Sequence, residues 1–306
     1  MNYLKRMKQY LDHPSYSMMR LFARFEIFRV LAPNIIKMLK IRQPAVARTI
    51  SSSTVFPNID EHRIIQDLKK TGVSFGIKLP KDIVEGIRQY AESACCYADR
   101  KLDKGFYVRE HAEASKKLNK EILVAQYFNS AHECREIGQL VNDPMLHKVA
   151  KGYLGENSRF VGVNLWWTFP VNASDEDRYR HAHKFHRDVD DFRFFKFFFY
   201  LTDVEIGDGG HVVVKNSKGK PPTRTLLDRW NIRRYSDDEI TSHYPVEDIV
   251  EVAGLAGDGF AEDTWSIHKG KTPKKSARLL LQFQFSLNDF GVVSDERDPS
   301  QLRMIN

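Results

Sequence analysis

Six short runs of aromatic and β-branched residues follow Gly155, and they limit the fold more strongly than any other pattern in the chain. Gly, Pro, Asn and Asp residues separate the runs, as is typical of strands joined by turns. The runs are 160–169, 194–202, 212–215, 249–252, 260–267 and 279–287. Because helices do not alternate with them, they predict an antiparallel sandwich or jelly roll rather than a parallel α/β sheet.

A region with helical periodicity precedes the strands. Residues 80–100 carry apolar side chains at 3.6-residue spacing behind Pro80, and further helices are predicted at 114–128 and 144–154, before Gly155. The expected class is α+β, with an antiparallel sandwich or jelly roll flanked by N-terminal helices, which the family resemblance given below narrows to a double-stranded β-helix (cupin-like barrel). The expected divisions are an arm at 1–42, a linker at 43–58, a helical region packing on the barrel at 59–155, a barrel at 156–290 with an insert at 221–244, and a C-terminal tail at 291–306.

Positive charge is concentrated at the start of the chain. Residues 1–50 hold ten Lys and Arg against two Asp and Glu, a net charge of +8, whereas the whole chain has a net charge of +7. Because the rest of the chain is nearly neutral, no nucleic-acid partner is predicted. The apolar, basic residues 1–42 predict a helical arm that packs on the main domain or on a second subunit; the alternative is peripheral contact with an anionic lipid surface.

Cysteine content and hydropathy bear on location. The chain has only three cysteines, two of them adjacent, so a disulfide framework is not expected. No uncharged apolar run approaches the roughly 18–20 residues that cross a bilayer, and charged residues interrupt the arm in a way that does not suit a signal peptide. These features predict a cytoplasmic protein, with a position at the inner face of a membrane as the alternative.

Two histidines and one aspartate form a candidate metal site. His186 and Asp188 lie two positions apart at a predicted strand end, where both side chains point to one face. His268, at the end of the run 260–267, offers the distant third ligand that a triad of two histidines and one carboxylate needs. Arg278 begins the next run, and its guanidinium suits a buried dicarboxylate. His-x-Asp alone also occurs by chance, so a solvated pair is the alternative.

Two segments carry a family resemblance. They read HRDVDDFRFFKFFFYLTDVEIGDGG at 186–210 and GDGFAEDTWSIHKGKTPKKSARLLLQFQFS at 257–286. Together with the predicted helix at 144–154 they resemble the phytanoyl-CoA dioxygenase family of Fe(II)- and 2-oxoglutarate-dependent oxygenases. The resemblance covers about half of the chain. It implies a double-stranded β-helix that uses O2, with iron held by His186, Asp188 and His268 and the 2-oxoglutarate C5 carboxylate paired with Arg278.

The same resemblance implies further contacts with the cofactor and substrate. Family members often place a polar residue against the cosubstrate at the position of Lys196, which here lies among five phenylalanines. An unpaired buried ammonium is costly, so Lys196 is expected either to meet a buried carboxylate or to point to solvent. Asn164 and Thr168 are predicted to line the cofactor pocket. Trp166 shares their face and is predicted to contact substrate, with core packing as the alternative.

The insert at 221–244 contains candidate substrate contacts, namely Arg224, Arg229 and Arg233, whose alternative is a solvated helix face. The predicted function is hydroxylation of an unactivated C–H of a small or lipid-linked anionic metabolite, with release of succinate and CO2. Because Asp188 is present, the resemblance favours hydroxylation over halogenation. One alternative is a membrane-surface hydroxylase of a lipid-linked acidic sugar, and another is a catalytically silent barrel that serves as a binding module.

Other enzyme classes lack their motifs in this sequence. The chain contains no His-x-x-x-His or Cys-x-x-Cys pair and no phosphate-binding loop. Their absence argues against the commonest zinc hydrolases and nucleoside triphosphatases.

Overall fold

The computed structural model describes residues 13–38, 49–56, 58–222 and 233–305. The helices are α1 (Pro14–Phe22), α2 (Glu26–Met38), α3 (Glu61–Lys70), α4 (Lys81–Ser93), α5 (His111–Lys117), α6 (Ser130–Glu133), α7 (Arg135–Val141), α8 (Pro144–Leu154), α9 (Asp175–Arg180) and α10 (Asp237–His243). The strands are β1 (Val73–Lys78), β2 (Cys95–Ala98), β3 (Gly105–Tyr107), β4 (Val124–Gln126), β5 (Arg159–Thr168), β6 (Phe194–Tyr200), β7 (His211–Val214), β8 (Ile249–Val252), β9 (Asp258–Glu262), β10 (His268–Gly270) and β11 (Arg278–Ser286).

The strands form two antiparallel sheets that enclose an apolar interior. The larger sheet has the order β1-β9-β6-β11-β5-β4-β2-β3, and the smaller has the order β10-β7-β8. Side chains from both sheets meet between them, including Phe198 and Phe260 from the larger sheet and Val213 from the smaller. The architecture is the predicted double-stranded β-helix with helices packed outside it, so the predicted fold class is confirmed.

Strand β6 shows why an unbroken aromatic run can be a strand. Phe195, Phe197 and Phe199 pack with the helices on the outer face of the large sheet. Lys196 and Phe198 point the other way, into the barrel. Because both faces of the strand are covered, every residue of β6 is buried.

The region 59–155 differs from the prediction. The helix expected at 80–100 ends at Ser93, where Ala94 turns to extended backbone and the chain continues as β2. The helix expected at 114–128 gives way to the short α5 and to β4. Pairing with neighbouring strands, such as Tyr97 with Gln126, overrides the local helical spacing. The region therefore contributes β1 to β4 to the large sheet as well as helices.

The run 260–267 is also not a single strand. β9 ends at Glu262, and the carboxylate of Asp263 accepts a hydrogen bond from the N–H of Trp265 at 3.1 Å, which closes a turn. The chain then crosses to the smaller sheet, where His268 begins β10. There the backbone N–H of His186 donates to the carbonyl of His268, and the reverse bond forms as well, each at 2.9 Å.

Residues 13–38 of the predicted arm pack on the barrel. Tyr16, Met19 and Ala23 are buried against Val189 and Trp265. Residues 1–12 and 39–48, which belong to the predicted arm and linker, lie outside the described residues. Within the described ranges, none of the helices combines the length and apolar character required to traverse a bilayer.

The C-terminal tail is held against β3. The N–H of Gly105 donates to the carbonyl of Arg303, and the N–H of Ile305 donates to the carbonyl of Gly105, each at 2.8 Å. Further back in the tail, the buried carboxylate of Asp295 accepts a hydrogen bond from the Ser130 hydroxyl at 2.6 Å. These contacts bring the start of the tail to the barrel opening.

Candidate metal centre and its cavity

His186, Asp188 and His268 converge inside the barrel. His186 Nε2 lies 3.5 Å from Asp188 Oδ1, and His268 Nε2 lies 3.6 Å from Asp188 Oδ2. The two imidazole ring centroids are 4.3 Å apart. One candidate ligand atom from each side chain lies within 4.8 Å of the other two. The three groups are therefore close enough to bind a single ion.

Backbone contacts orient both imidazoles for metal binding. Nδ1 of His186 lies 2.9 Å from the carbonyl of Lys184, and Nδ1 of His268 lies 3.0 Å from the carbonyl of Ser266. Donation from Nδ1 leaves the lone pair of each Nε2 directed towards Asp188. Burial lowers the pKa of His186 and, aided by the neighbouring His186, lowers the pKa of His268 to about 4. Both rings are therefore neutral at pH 7, as metal ligation requires.

Lys196 holds the carboxylate of the triad. Its buried Nζ lies 2.7 Å from Asp188 Oδ2 and 3.0 Å from Asp190 Oδ2. Burial would raise the pKa of Asp188, but Lys196 and then His268 hold it well below its usual range. Of the two sequence-based alternatives, Lys196 meets a buried carboxylate. Lys196 also lines the cavity, and the cosubstrate contact that the resemblance implies for it stays a prediction.

A second pair lies behind His268. His211 Nε2 is 2.7 Å from Glu262 Oε2, and Glu262 Oε1 is 3.7 Å from His268 Nδ1. Burial raises the pKa of Glu262 to about 8, so the carboxyl group is largely protonated at pH 7 and can donate to His211. The rings of His211 and His268 are stacked with centroids 5.4 Å apart. Sequence reasoning missed this pair because no local motif links β7 to β9.

Arg278 presents an incompletely paired guanidinium to the same cavity that the triad lines. It is 3% exposed, and its Nη1 donates to the carbonyl of Gly209. Its Nη2 donates to the hydroxyl of Thr168 at 3.3 Å, across the register pair that joins β5 to β11. Nε has no partner, and none of the described carboxylates forms an ion pair with this side chain. A buried cation with spare donors fits a carboxylate ligand.

A cavity of about 390 Å³ connects the triad to Arg278. Asn164 lines its wall, and its Oδ1 accepts a hydrogen bond from Gln126 Nε2 at 2.9 Å. Trp166 also lines the cavity, whereas Trp167 lies in the core on the helical side of the sheet. Asn164 and Trp166 thus line the cavity as predicted for this face, whereas Thr168 is fully buried and is connected to the site through its hydrogen bond with Arg278.

Several lining residues come from outside the barrel strands and escaped sequence reasoning, and three of them carry a polar group into the cavity lining. Tyr16 belongs to α1, Arg100 to the turn after β2, and Arg297 to the C-terminal tail. Arg100 has a left-handed backbone, with φ 60°, and its guanidinium lies 5.9 Å from the Trp166 ring centroid. These residues reach the cavity only through tertiary packing, so the sequence carries no local signal for them.

Of the three predicted contacts in the insert, Arg233 lies within the described residues, and it does not line the cavity. Arg224 and Arg229 lie outside the described residues. Arg233 pairs with Glu239 of α10 at 2.7 Å, and its guanidinium lies 4.6 Å from the Tyr235 ring centroid. These contacts match the alternative of a helix-associated charge, so Arg233 is not assigned to the substrate.

Comparison with known proteins finds solved structures that are similar to this chain in fold. No family model matches the chain, and no curated protein matches it in sequence, so the phytanoyl-CoA dioxygenase resemblance stays a prediction. The epimerase SnoN in complex with Fe3+, α-ketoglutarate and nogalamycin RO has a TM-score of 0.49 at 14% identity, over 74% of this chain and 82% of SnoN. HygX from Streptomyces hygroscopicus, with nickel, 2-oxoglutarate and hygromycin B bound, has a TM-score of 0.49 at 14% identity, over 73% of this chain and 86% of HygX.

EvdMO1 is a longer similar structure. It has a TM-score of 0.45 at 15% identity over 73% of this chain, and the chain spans 49% of the length of EvdMO1. At these identities and TM-scores the similarities do not assign a function.

Proposed function

We propose that the protein is an Fe(II)- and 2-oxoglutarate-dependent oxygenase that hydroxylates an unactivated C–H of an anionic substrate. One observation carries the proposal: two imidazole Nε2 atoms and the Asp188 carboxylate converge in a cavity that is also lined by the incompletely paired Arg278. Two histidines and one carboxylate on one side of a metal are the donor set of non-haem Fe(II) oxygenases. A buried arginine is suited to the distal carboxylate of a dicarboxylic acid.

The residues divide the binding between them. His186, Asp188 and His268 would hold the iron, while Arg278 and Thr168 would hold the C5 carboxylate of 2-oxoglutarate. When bound, these groups supply oxidation by O2, in which 2-oxoglutarate becomes succinate and CO2 and one oxygen atom enters the substrate C–H bond.

The surrounding side chains position these groups and exclude water. Lys196 fixes the Asp188 carboxylate through the 2.7 Å contact, and the His211–Glu262 pair supports the ring of His268. Phe198 and Leu280 are apolar parts of the cavity wall. Apolar walls limit access of water to a reactive centre, which protects it from side reactions.

Positive charge in the cavity supports an anionic substrate. Arg100 and Arg297 both line the cavity. They are available to a substrate because the proposal assigns Arg278 to 2-oxoglutarate. Asn164 and Gln126 add amide groups able to bind hydroxyls. A lipid-linked acidic sugar and a small anionic metabolite both carry the negative charge and hydroxyl groups that these side chains could bind. The two are distinguished by testing soluble and vesicle-borne substrates for stimulated succinate release.

An anaerobic titration tests the proposal. Fe(II) and 2-oxoglutarate are added to the full chain, and the metal-to-ligand charge-transfer absorption is recorded. We expect the band in the wild-type protein and its loss in His268→Ala, with circular dichroism showing that the variant is folded. A wild-type protein without the band would favour the silent barrel, and succinate formation retained by His268→Ala would contradict the ligand assignment.

A further inference from the structure

An exposed apolar surface covers the two N-terminal helices, and the proposed function does not account for it. Six large apolar side chains of α1 and α2 are between 37% and 62% exposed: Met18, Phe22, Ile27, Phe28, Val30 and Leu31. The rings of Phe22 and Phe28 contact each other, with centroids 5.0 Å apart, so the surface is continuous between the helices. A cluster of this kind typically marks an interaction surface, whereas single exposed apolar residues do not. We call these six residues the helical-hairpin surface.

The opposite side of the hairpin is firmly attached to the barrel. Arg29 is 5% exposed, its guanidinium lies 4.0 Å from the Trp265 ring centroid, and its Nη1 donates to the carbonyl of Ala23 at 2.9 Å. Trp265 Nε1 in turn donates to Glu26 Oε2 at 3.1 Å. The hairpin therefore uses one side for packing, and within the described part of the chain the side chains of the helical-hairpin surface stay exposed.

The charge around this surface identifies its partner. Residues 1–50 have a net charge of +8, and Arg20 and Arg24 lie in α1 and just after it, two residues on either side of the exposed Phe22 in the sequence. A second copy of the chain docked on the same surface would bring two such charges together, which disfavours a homodimer. Basic residues beside an apolar helix face favour the interface of an anionic bilayer.

We propose that the helical-hairpin surface docks on an anionic lipid bilayer, with the six apolar side chains inserted at the headgroup boundary and the basic residues against lipid phosphates. The hairpin does not cross the membrane. Tyr16, on the buried side of α1, lines the candidate active-site cavity. Docking therefore places the bilayer against the element that forms part of the cavity wall. The proposal does not depend on bound iron or on turnover.

Vesicle flotation of the full chain tests the docking. The protein is mixed at low salt with vesicles of equimolar phosphatidylcholine and phosphatidylglycerol, and in parallel with vesicles of phosphatidylcholine alone. The test variant is Ile27→Glu/Leu31→Glu. The matched control is Ile206→Glu/Leu255→Glu, which makes the same substitutions at side chains that are 80% and 66% exposed elsewhere.

We expect the wild-type protein and the control variant to float with the anionic vesicles, and flotation to weaken as salt screens the charges. The test variant should bind about tenfold or more weakly, since two inserted apolar side chains are replaced by carboxylates. No flotation at low salt, or equal flotation of test and control variants, would overturn the proposal.

Two further measurements separate this proposal from its rivals. Size-exclusion chromatography reports whether the test variant dissociates a dimer, and a dimer lost without any lipid binding would assign the surface to a second copy and overturn the proposal. The charge-transfer titration of the test variant reports the iron site independently. A test variant that keeps the charge-transfer band but no longer floats with the vesicles would support docking. A wild-type protein that never shows the band would count against the proposed oxygenase function and not against docking.

Discussion

Lys196 Nζ donates to Asp188 Oδ2 at 2.7 Å inside the barrel, so a buried cation directly contacts the carboxylate of the candidate metal site. The same ammonium lies 3.0 Å from Asp190. Without Lys196, two carboxylates would face each other in a buried setting, where like charges are costly. The Lys196 ammonium therefore fixes the Asp188 carboxylate and neutralises part of the negative charge of the two aspartates.

Replacing Lys196 with Met should therefore weaken iron binding. We expect roughly a 10- to 100-fold loss of Fe(II) affinity, the usual range when a partner of a metal ligand is removed. Fe(II) titration in the presence of excess 2-oxoglutarate measures the change. Lys148→Met is the matched control, because Lys148 pairs with Glu61 at the protein surface. Equal affinity in the two variants would show that Lys196 does not support the site.

Asp99 provides a pH-dependent contribution to stability at some distance from the triad. Its carboxylate accepts hydrogen bonds from Lys120 Nζ at 2.9 Å and contacts His181 Nε2 at 3.2 Å. Burial opposes ionisation, but His181 and Lys120 outweigh it and hold the pKa of Asp99 well below its usual range. Because the folded-state pKa is the lower one, this stabilisation is present above about pH 4 and is lost as the pH falls further.

Asp99→Asn should remove that stabilisation. We expect the variant to be about 2 kcal/mol less stable than wild type at pH 7, as for losing a hydrogen bond between charged groups, and the difference to shrink below pH 4. Urea unfolding at both pH values measures it. Asp175→Asn, which disrupts an exposed pair with Lys184, is the control and should change stability by less than about 1 kcal/mol. A difference between Asp99→Asn and wild type that persists at low pH would contradict the assignment.

Gly259 marks a close approach between β9 and β6. A Cβ at this position would lie 2.3 Å from Phe199 Cδ1 and 2.6 Å from the carbonyl oxygen of Phe198. Gly259→Ala should therefore destabilise the protein by about 1–3 kcal/mol through overpacking. Gly86→Ala in α4 is the control, because the nearest atoms belong to the flexible side chain of Glu136, and it should gain up to about 1 kcal/mol from helix propensity. Thermal unfolding of both variants decides whether the contact is as tight as described.

The barrel was predictable from the sequence because its strands are buried on at least one face. The aromatic run at 194–202 and the apolar run at 279–287 correspond to β6 and β11, which pair along their length. Residue alternation within β5 also predicted which of Trp166 and its neighbours share a face. In contrast, β2 and β4 depend on pairing with distant strands, and the local spacing there favoured helices.

The candidate site, like the fold, could be predicted from the sequence only in part. His186 and Asp188 form a local pattern, and the family resemblance supplied His268 and Arg278. Arg100 and Arg297 could not be found by pattern, because a left-handed turn and a C-terminal tail bring them to the cavity. The charges of Arg100 and Arg297 that point to an anionic substrate therefore appear only in the folded chain, and the one described insert arginine, Arg233, does not line the cavity.

Arg278 gives the most selective test of the cosubstrate site. Its guanidinium lies about as deep in the protein as the triad, yet its described contacts are the carbonyl of Gly209 and the hydroxyl of Thr168 rather than a carboxylate. Charge-assisted hydrogen bonds contribute about 1.5–3 kcal/mol each. Arg278→Leu should therefore weaken 2-oxoglutarate binding by about 100-fold, since roughly 1.4 kcal/mol corresponds to a factor of ten.

Iron binding should respond differently, because Arg278 does not contact the triad. We expect Arg278→Leu to bind Fe(II) alone with wild-type affinity, measured by calorimetry without 2-oxoglutarate, while the charge-transfer band appears only at much higher 2-oxoglutarate concentration. Thr168→Val removes one hydroxyl and should cause a loss of only about fivefold. If Arg278→Leu weakened Fe(II) and 2-oxoglutarate binding equally, Arg278 would be a structural support of the barrel rather than the carboxylate-binding residue.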